Sequence, residues 1–158
     1  MLQSLSVVSM LPQAVYDQSL EVLPISVKVL EQKFCIAVFY TPPDSTVSIF
    51  GILFHSIELI DISRYSNFIL IGDFNVDVFD HLHPLYPKVS TLLDLFCLSQ
   101  VVTGHTRESS SGRCSLLDLV LTTNPNILHN CSVIPPLATS DHLGIFSFKL
   151  QNNICGSE

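Results

Sequence analysis

Three short segments of the 158-residue chain collect side chains able to do hydrolytic chemistry. The first is Gly72-Asp73-Phe74-Asn75, which follows the apolar run 68–71. In extended backbone, residues two apart project to the same side, so the Asp73 carboxylate and the Asn75 carboxamide would stand together. Such a pair suits a phosphodiester reaction. The carboxylate orients or deprotonates a water, and the neutral amide donates to a developing oxyanion without repelling it. The second segment is 115–121, where Asp118 sits among aliphatic residues. Burying that carboxylate alone costs several kcal/mol, so it needs a partner or a metal. The third is Ser140-Asp141-His142. A ring N–H of His142 given to Asp118 would fix the imidazole tautomer and turn the other nitrogen to a phosphate, leaving Asp141 to bind a metal.

If Asp73, Asp118 and Asp141 converge, each pair of carboxylates about 5 Å apart repels by roughly 3 kcal/mol at an effective dielectric near 20. A divalent cation and His142 would relieve that repulsion, and all-oxygen ligation favours Mg²⁺ or Mn²⁺ over zinc. The plain alternative for Asp73-Phe74-Asn75 is a polar turn after a strand. A calcium loop with Asp73, Asn75 and Asp77 at its first, third and fifth positions fails. Val78 stands where glycine is needed, and Pro84 where a bidentate glutamate is needed. No G-x-S-x-G, P-loop or G-x-G-x-x-G is present, which leaves serine-hydrolase and nucleotide-binding readings without support. His81, His83, His105 and His129 have no metal-ligand spacing with the cysteines and read as loop residues.

The elements that must position these groups follow from periodicity. Ile25, Val27 and Val29 alternate with Ser26, Lys28 and Leu30, a half-buried strand, and Glu31-Gln32-Lys33 is a turn. Residues 34–40 are continuously apolar, as in a central strand buried on both faces, and Pro42-Pro43 end it. Val47, Phe50, Phe54 and Ile57 recur at helical spacing opposite a stripe of Ser48, Gly51, His55 and Glu58. Val89, Leu92, Leu93 and Phe96 predict a second helix, with a short buried strand at 68–71 between the two. Further strands are expected at 116–122, 132–134 and 145–150, and a loop at 109–112. Strand hairpins mixed with two helices predict an α/β layered sandwich whose strand-end loops carry the chemistry.

Composition bounds the function classes. Hydrophobic residues make up 47% and charged residues 13%, about half the usual charged share, and mean hydropathy is +0.46. That excludes intrinsic disorder. Seven basic against 14 acidic residues give a net charge of −7, without the basic excess that marks most nucleic-acid binders. No apolar run reaches the roughly 20 residues of a membrane span, so no membrane partner is expected. The uncharged N-terminal stretch lacks a basic region and is a poor signal peptide. Five scattered cysteines without a C-x-x-C pair point to a reduced nuclear or cytoplasmic protein, not a secreted one. Cys35 and Cys97 lie in apolar runs and read as small core residues.

Taken in order, Phe39-Tyr40-Thr41-Pro42-Pro43, Ile71-Gly72-Asp73-Phe74-Asn75, Ser115-Leu116-Leu117-Asp118 and Thr139-Ser140-Asp141-His142 resemble the endonuclease/exonuclease/phosphatase superfamily. Tyr-x-Pro-Pro and the Leu-Val-Leu-Thr-Thr-Asn-Pro run after Asp118 are similar to the apurinic-endonuclease-like domain of non-LTR (LINE-type) retrotransposons. A given tetrapeptide arises by chance in a chain this long about once in a thousand, at roughly a twentieth per position. Four in order are not coincidence.

The resemblance implies a two-sheet α/β sandwich that hydrolyses phosphodiester or phosphomonoester bonds with Mg²⁺ or Mn²⁺, DNA being the substrate and no small-molecule cofactor being needed. It implies that Asp73 activates the attacking water, Asn75 stabilises the phosphorane-like charge and Tyr40 hydrogen-bonds the phosphate. Asp118 would orient His142 onto the scissile phosphate, and Asp141 would bind the metal. In that family an Asn and a Glu from a preceding half-domain hold the principal metal, and only the segment 1–20 precedes Glu21 here. Residues 21–150 are therefore expected to match the C-terminal half of the domain, after a poorly defined segment 1–20 and before a tail 151–158. Two functions follow as expectations: a metal-dependent DNA-nicking enzyme, or an inactive truncated remnant of one. The low charge adds a third, self-association through exposed apolar surface.

Overall fold

A computed structural model describes residues 5–10, 21–29, 31–128, 131–136 and 138–145. Its centre is a six-stranded sheet in the order β1-β2-β3-β4-β8-β5. Strands β1 (Leu5–Met10), β2 (Glu21–Val29) and β3 (Gln32–Tyr40) form an antiparallel meander, with Val29 opposite Gln32 at a tight hairpin. Strand β4 (Asn67–Asp73) lies parallel to β3, so a crossover must join them, and helix α1 (Ser48–Ile60) supplies it. Helix α2 (Tyr86–Leu95) leads to the short β5 (Ser99–Gln100). A hairpin of β6 (Arg107–Glu108) and β7 (Cys114–Ser115) then precedes β8 (Asp118–Thr122), which returns antiparallel between β4 and β5. Strands β9 (Val133–Ile134) and β10 (Gly144–Ile145) make a further two-stranded sheet. Among the described residues, no helix is long and apolar enough to cross a membrane.

The local chemistry explains the punctuation. Pro42 and Pro43 stop β3, because proline cannot extend a ladder. Helix α1 ends at Asp61, which adopts left-handed backbone (φ 52°), with its N–H on the Glu58 carbonyl. Helix α2 has Pro87 in its first turn, where no intrahelical N–H is missed. Pro24 lies inside β2 without breaking it, since β1 pairs with β2 only as far as Ile25.

Register sorts the sheet into two faces. Cys35, Ala37 and Phe39 of β3 share one face with Phe68, Leu70, Leu119 and Leu121, and this face joins Ile49, Phe50, Leu53 and Ile57 of α1 in the main core. Ile36, Val38 and Tyr40 point the other way with Ile71, Asp73, Asp118 and Val120. There Val38 and Tyr40 are 47% and 45% exposed, and Leu23 of β2 is also exposed. The expected burial of β3 on both faces therefore holds only at its start, and the low charge of the chain shows as apolar side chains on this open face.

Other expectations shift by small, explicable amounts. Residues 5–10 form a strand where none was expected. The buried stripe of α1 runs through Ile49, Phe50, Leu53, Ile57 and Ile60, while Val47 is half exposed and Phe54 packs at the margin, 6.2 Å from the Phe96 ring. Cys35 is fully buried, which pushes its thiol up to about 12, but Cys97 sits exposed in the left-handed turn after α2 (φ 51°). Residues 146–150 of the last expected strand, and His129, lie outside the described residues.

Strand β4 does not stop at Gly72 but continues through it to Asp73. Gly72 faces Phe39 across the ladder, and a Cβ there would collide with the Phe39 carbonyl oxygen and carbon. Backbone cannot move aside as a flexible side chain can. Gly72→Ala should therefore cost about 3 kcal/mol, read as a lowered urea midpoint with the slope unchanged. A midpoint within error of wild type would show that β3 and β4 are not held this close.

Candidate active site

The rung that Gly72 leads into is the centre of the site. Register pairs Tyr40 of β3 with Asp73 of β4, and Asp73 with Asp118 of β8, so three polar side chains stand in a row at one end of one sheet face. His142 comes from the segment before β10. An antiparallel bridge between His142 and Arg107 holds that segment against β6. Its Nδ1 lies 3.0 Å from Asp118 Oδ2. Asp118 is buried, with a side chain only 12% exposed, so Nδ1 carries the hydrogen toward the carboxylate and Nε2 is the acceptor. Donor atoms of Asp73, Asp118 and His142 all lie within 4.8 Å of one another.

Asn75 reaches Asp73 by a route other than strand alternation. It lies beyond β4 in left-handed backbone (φ 47°), a conformation asparagine tolerates. The chain curls back, so that the Asn75 N–H donates to Asp73 Oδ1 (2.9 Å). Its Nδ2 donates to Asp73 Oδ2 (3.0 Å) and to the Thr41 carbonyl (2.7 Å). Both neighbours are acceptors, which fixes the amide orientation chemically. Thr41 closes the turn: its N–H donates to the Asp73 carbonyl (3.0 Å) and its hydroxyl to the Phe74 carbonyl (2.9 Å).

The electrostatics separate the two carboxylates expected to act on water and on metal, Asp73 and Asp141. Burial pushes the Asp73 carboxyl above its ordinary value, and the neighbouring Asp118 charge adds to this against the Asn75 N–H. Asp141, fully exposed, is held below the usual range by its hydrogen bond from Arg107 Nε at 2.8 Å. Asp141 thus faces Arg107, and the cluster within metal reach comprises Asp73, Asp118 and His142. Two carboxylates and an imidazole around one half-buried point fit a divalent cation, whose charge would offset the crowding that raises Asp73.

Three further residues support the site in ways the sequence does not show, although Thr41 lies inside the Tyr-x-Pro-Pro motif and Asp77 inside the rejected calcium-loop pattern. Thr41 and Thr106 are buried hydroxyls that bond backbone, and Asp77 is a buried carboxylate. Asp77 Oδ1 accepts from the Leu116 N–H and the Phe79 N–H, both at 3.1 Å, and Oδ2 lies 3.5 Å from Arg113 Nη2. It pins the loop after Asn75 to the segment leading into β8, which carries Asp118. A cleft of about 310 Å³ opens beside it, lined among others by Asn75, Asp77, His83, Arg107, Arg113 and Ser115. Asp77→Ala leaves the buried Leu116 N–H unpaired and should cost about 1–3 kcal/mol, visible as a lower melting temperature. Asp77→Asn, which keeps the acceptor oxygen, should lose less than half of that. Equal losses would assign the effect to charge instead.

A search of the curated proteins finds no match. The endonuclease domain of TRAS1, a telomere-specific non-LTR retrotransposon, superposes with a TM-score of 0.68 at 16% identity, over 94% of this chain and 81% of that one. An endonuclease/exonuclease/phosphatase family protein from Leptotrichia buccalis gives 0.60 at 19% identity, over 83% of this chain and 53% of that one. The 3′ phosphatase NExo from Neisseria, bound to a product DNA hairpin, gives 0.59 at 17% identity, over 77% and 62%. This chain therefore spans less than two thirds of the length of the last two. At such identities the likeness shows the fold, a two-layered α/β arrangement of this superfamily. The family model described as endonuclease-reverse transcriptase matches residues 34–146, well over half of the chain. That match spans Tyr40, Asp73, Asn75, Asp118 and His142 together, and the chain belongs to the endonuclease-reverse transcriptase family, within the endonuclease/exonuclease/phosphatase superfamily.

Proposed function

We propose that this chain carries a phosphodiesterase-type endonuclease site, of non-LTR retrotransposon origin, that nicks DNA by hydrolysis with Mg²⁺ or Mn²⁺. The observation that carries the reading is the single rung Tyr40–Asp73–Asp118 with His142 hydrogen-bonded to its end. When bound, the cation supplies Lewis-acid stabilisation of the charged phosphate oxygens. Asp73, with its raised proton affinity, takes the proton of the attacking water. Water oxygen bonds to phosphorus as the bond to the leaving sugar oxygen breaks, and that oxygen leaves with a proton from solvent. Asp118 accepts the Nδ1–H of His142, so Nε2 faces the phosphate and, when the imidazole is protonated, donates to a phosphate oxygen.

Asn75 supplies the neutral donor. Its Nδ2 hydrogens already point at Asp73 and the Thr41 carbonyl, and a phosphate oxygen would replace Asp73 as one acceptor. Tyr40, half-exposed on the same rung, would offer its hydroxyl to the phosphate. Asp141 is assigned a metal-binding role, which requires it to exchange Arg107 for the cation. Incubation of supercoiled plasmid with the purified chain and Mg²⁺ should give nicked circles, and EDTA should stop the conversion. Plasmid left supercoiled at every Mg²⁺ and Mn²⁺ concentration would overturn the enzyme reading in favour of an inactive remnant.

A further inference from the structure

We propose that Thr106 is a positioning residue that holds the Asp118–His142 pair in register from both sides; this rests on the nuclease reading for its effect on turnover. Thr106 is fully buried at the base of the β6–β7 hairpin. Its Oγ1 accepts from the Asp118 N–H at 3.0 Å and from the Leu117 N–H at 3.1 Å. Its carbonyl accepts from the Leu143 N–H at 2.8 Å, next to His142, and its own N–H donates to the Ser115 carbonyl at 2.9 Å. One residue thus anchors the backbone on both sides of the 3.0 Å contact between His142 and Asp118.

The backbone accounting shows why a hydroxyl is required here. Strand β4 pairs with one edge of β8 as far as Asp118. On the other edge β5 pairs at Leu121 and Thr122 and Val101 reaches Val120, but among the described residues no strand continues on that second edge beside Asp118 and Leu117. Their N–H groups are buried and need an acceptor. A hydroxyl has two lone pairs on a short stem, enough for both. Valine has the same shape and no acceptor, so Thr106→Val removes the two bonds while filling the same space. Serine keeps both bonds and loses only a methyl group.

The test compares wild type, Thr106→Val and Thr106→Ser by amide hydrogen exchange and by plasmid nicking. In Thr106→Val the amides of Leu117 and Asp118 should exchange about tenfold faster relative to those of β3, which reports local loosening. Its kcat should fall by about 10–100-fold with KM unchanged, because misplacement of the pair acts on the chemical step. Thr106→Ser should match wild type in both. Unchanged exchange at Leu117 and Asp118 in Thr106→Val, or wild-type kcat with faster exchange, overturns the proposal. So does a Thr106→Ser variant, mild enough to fold in either case, that loses turnover. If wild type itself does not nick DNA, the nuclease reading fails separately, and the exchange pattern alone decides whether Thr106 anchors Asp118.

Discussion

Asp73→Asn should abolish nicking and at the same time make the folded chain more stable at neutral pH. The first effect follows from removing the group that takes the proton of the attacking water, a loss of about 10²–10⁴-fold in kcat. The second follows from the direction of its titration. Burial, with Asp118 beside it, raises the folded Asp73 carboxyl above its ordinary value near 4. A carboxyl raised on folding contributes stability while protonated, fully below its unfolded value, and loses it as pH rises through the folded value. At pH 7 the ionised form is therefore a cost that asparagine removes. The amide keeps an oxygen for the Asn75 N–H. Because Asp73 is partly open to water, the gain stays below about 1 kcal/mol, a rise in melting temperature of no more than about 2–4 °C. The gap between variant and wild type should close as pH falls toward 4. A variant that is less stable at pH 7, or that still nicks, contradicts the assignment of Asp73.

Asp118 and His142 should behave as one unit in a double-mutant cycle. His142→Ala removes the phosphate contact and should cost about 10²–10³-fold in kcat. Asp118→Asn alone leaves the imidazole in place but unanchored at Nδ1, with either tautomer available, and should cost a comparable factor. Since Asp118 acts through His142, the double variant should be no slower than His142→Ala within about threefold. Losses that multiply would mean that Asp118 acts independently, for instance as a metal ligand with Asp73, to which its register also brings it.

What the sequence reveals of this site depends on whether the signal is local. The β2–β3 hairpin, both helices and the strand leading to Asp73 are legible because alternation and helical spacing report a face directly. The pairing of Asp73 with Asn75 is legible, but for a different reason from the structural one. Residues two apart meet in a strand, whereas Asn75 meets Asp73 through left-handed backbone and a side-chain turn. Asp141 adjoins His142 in the sequence, but its pairing with Arg107, 34 residues away, has no local signal. The anchoring roles of Thr106 and Asp77 have no sequence signal, because they rest on backbone N–H groups 11, 12 and 39 residues distant, which leave no trace in residue type. Arg107 and Arg113, the basic residues nearest the site motifs, are both engaged by carboxylates, so DNA affinity should be weak and its salt dependence shallow.

The most direct test of a metal-dependent phosphodiesterase on the Tyr40–Asp73–Asp118 rung is the rate of Mg²⁺-dependent nicking of supercoiled DNA by the wild-type chain, measured beside an Asp73→Ala preparation of equal purity and fold. Nicking by wild type that falls to the EDTA background in Asp73→Ala is the predicted result; equal rates from the two preparations would contradict it.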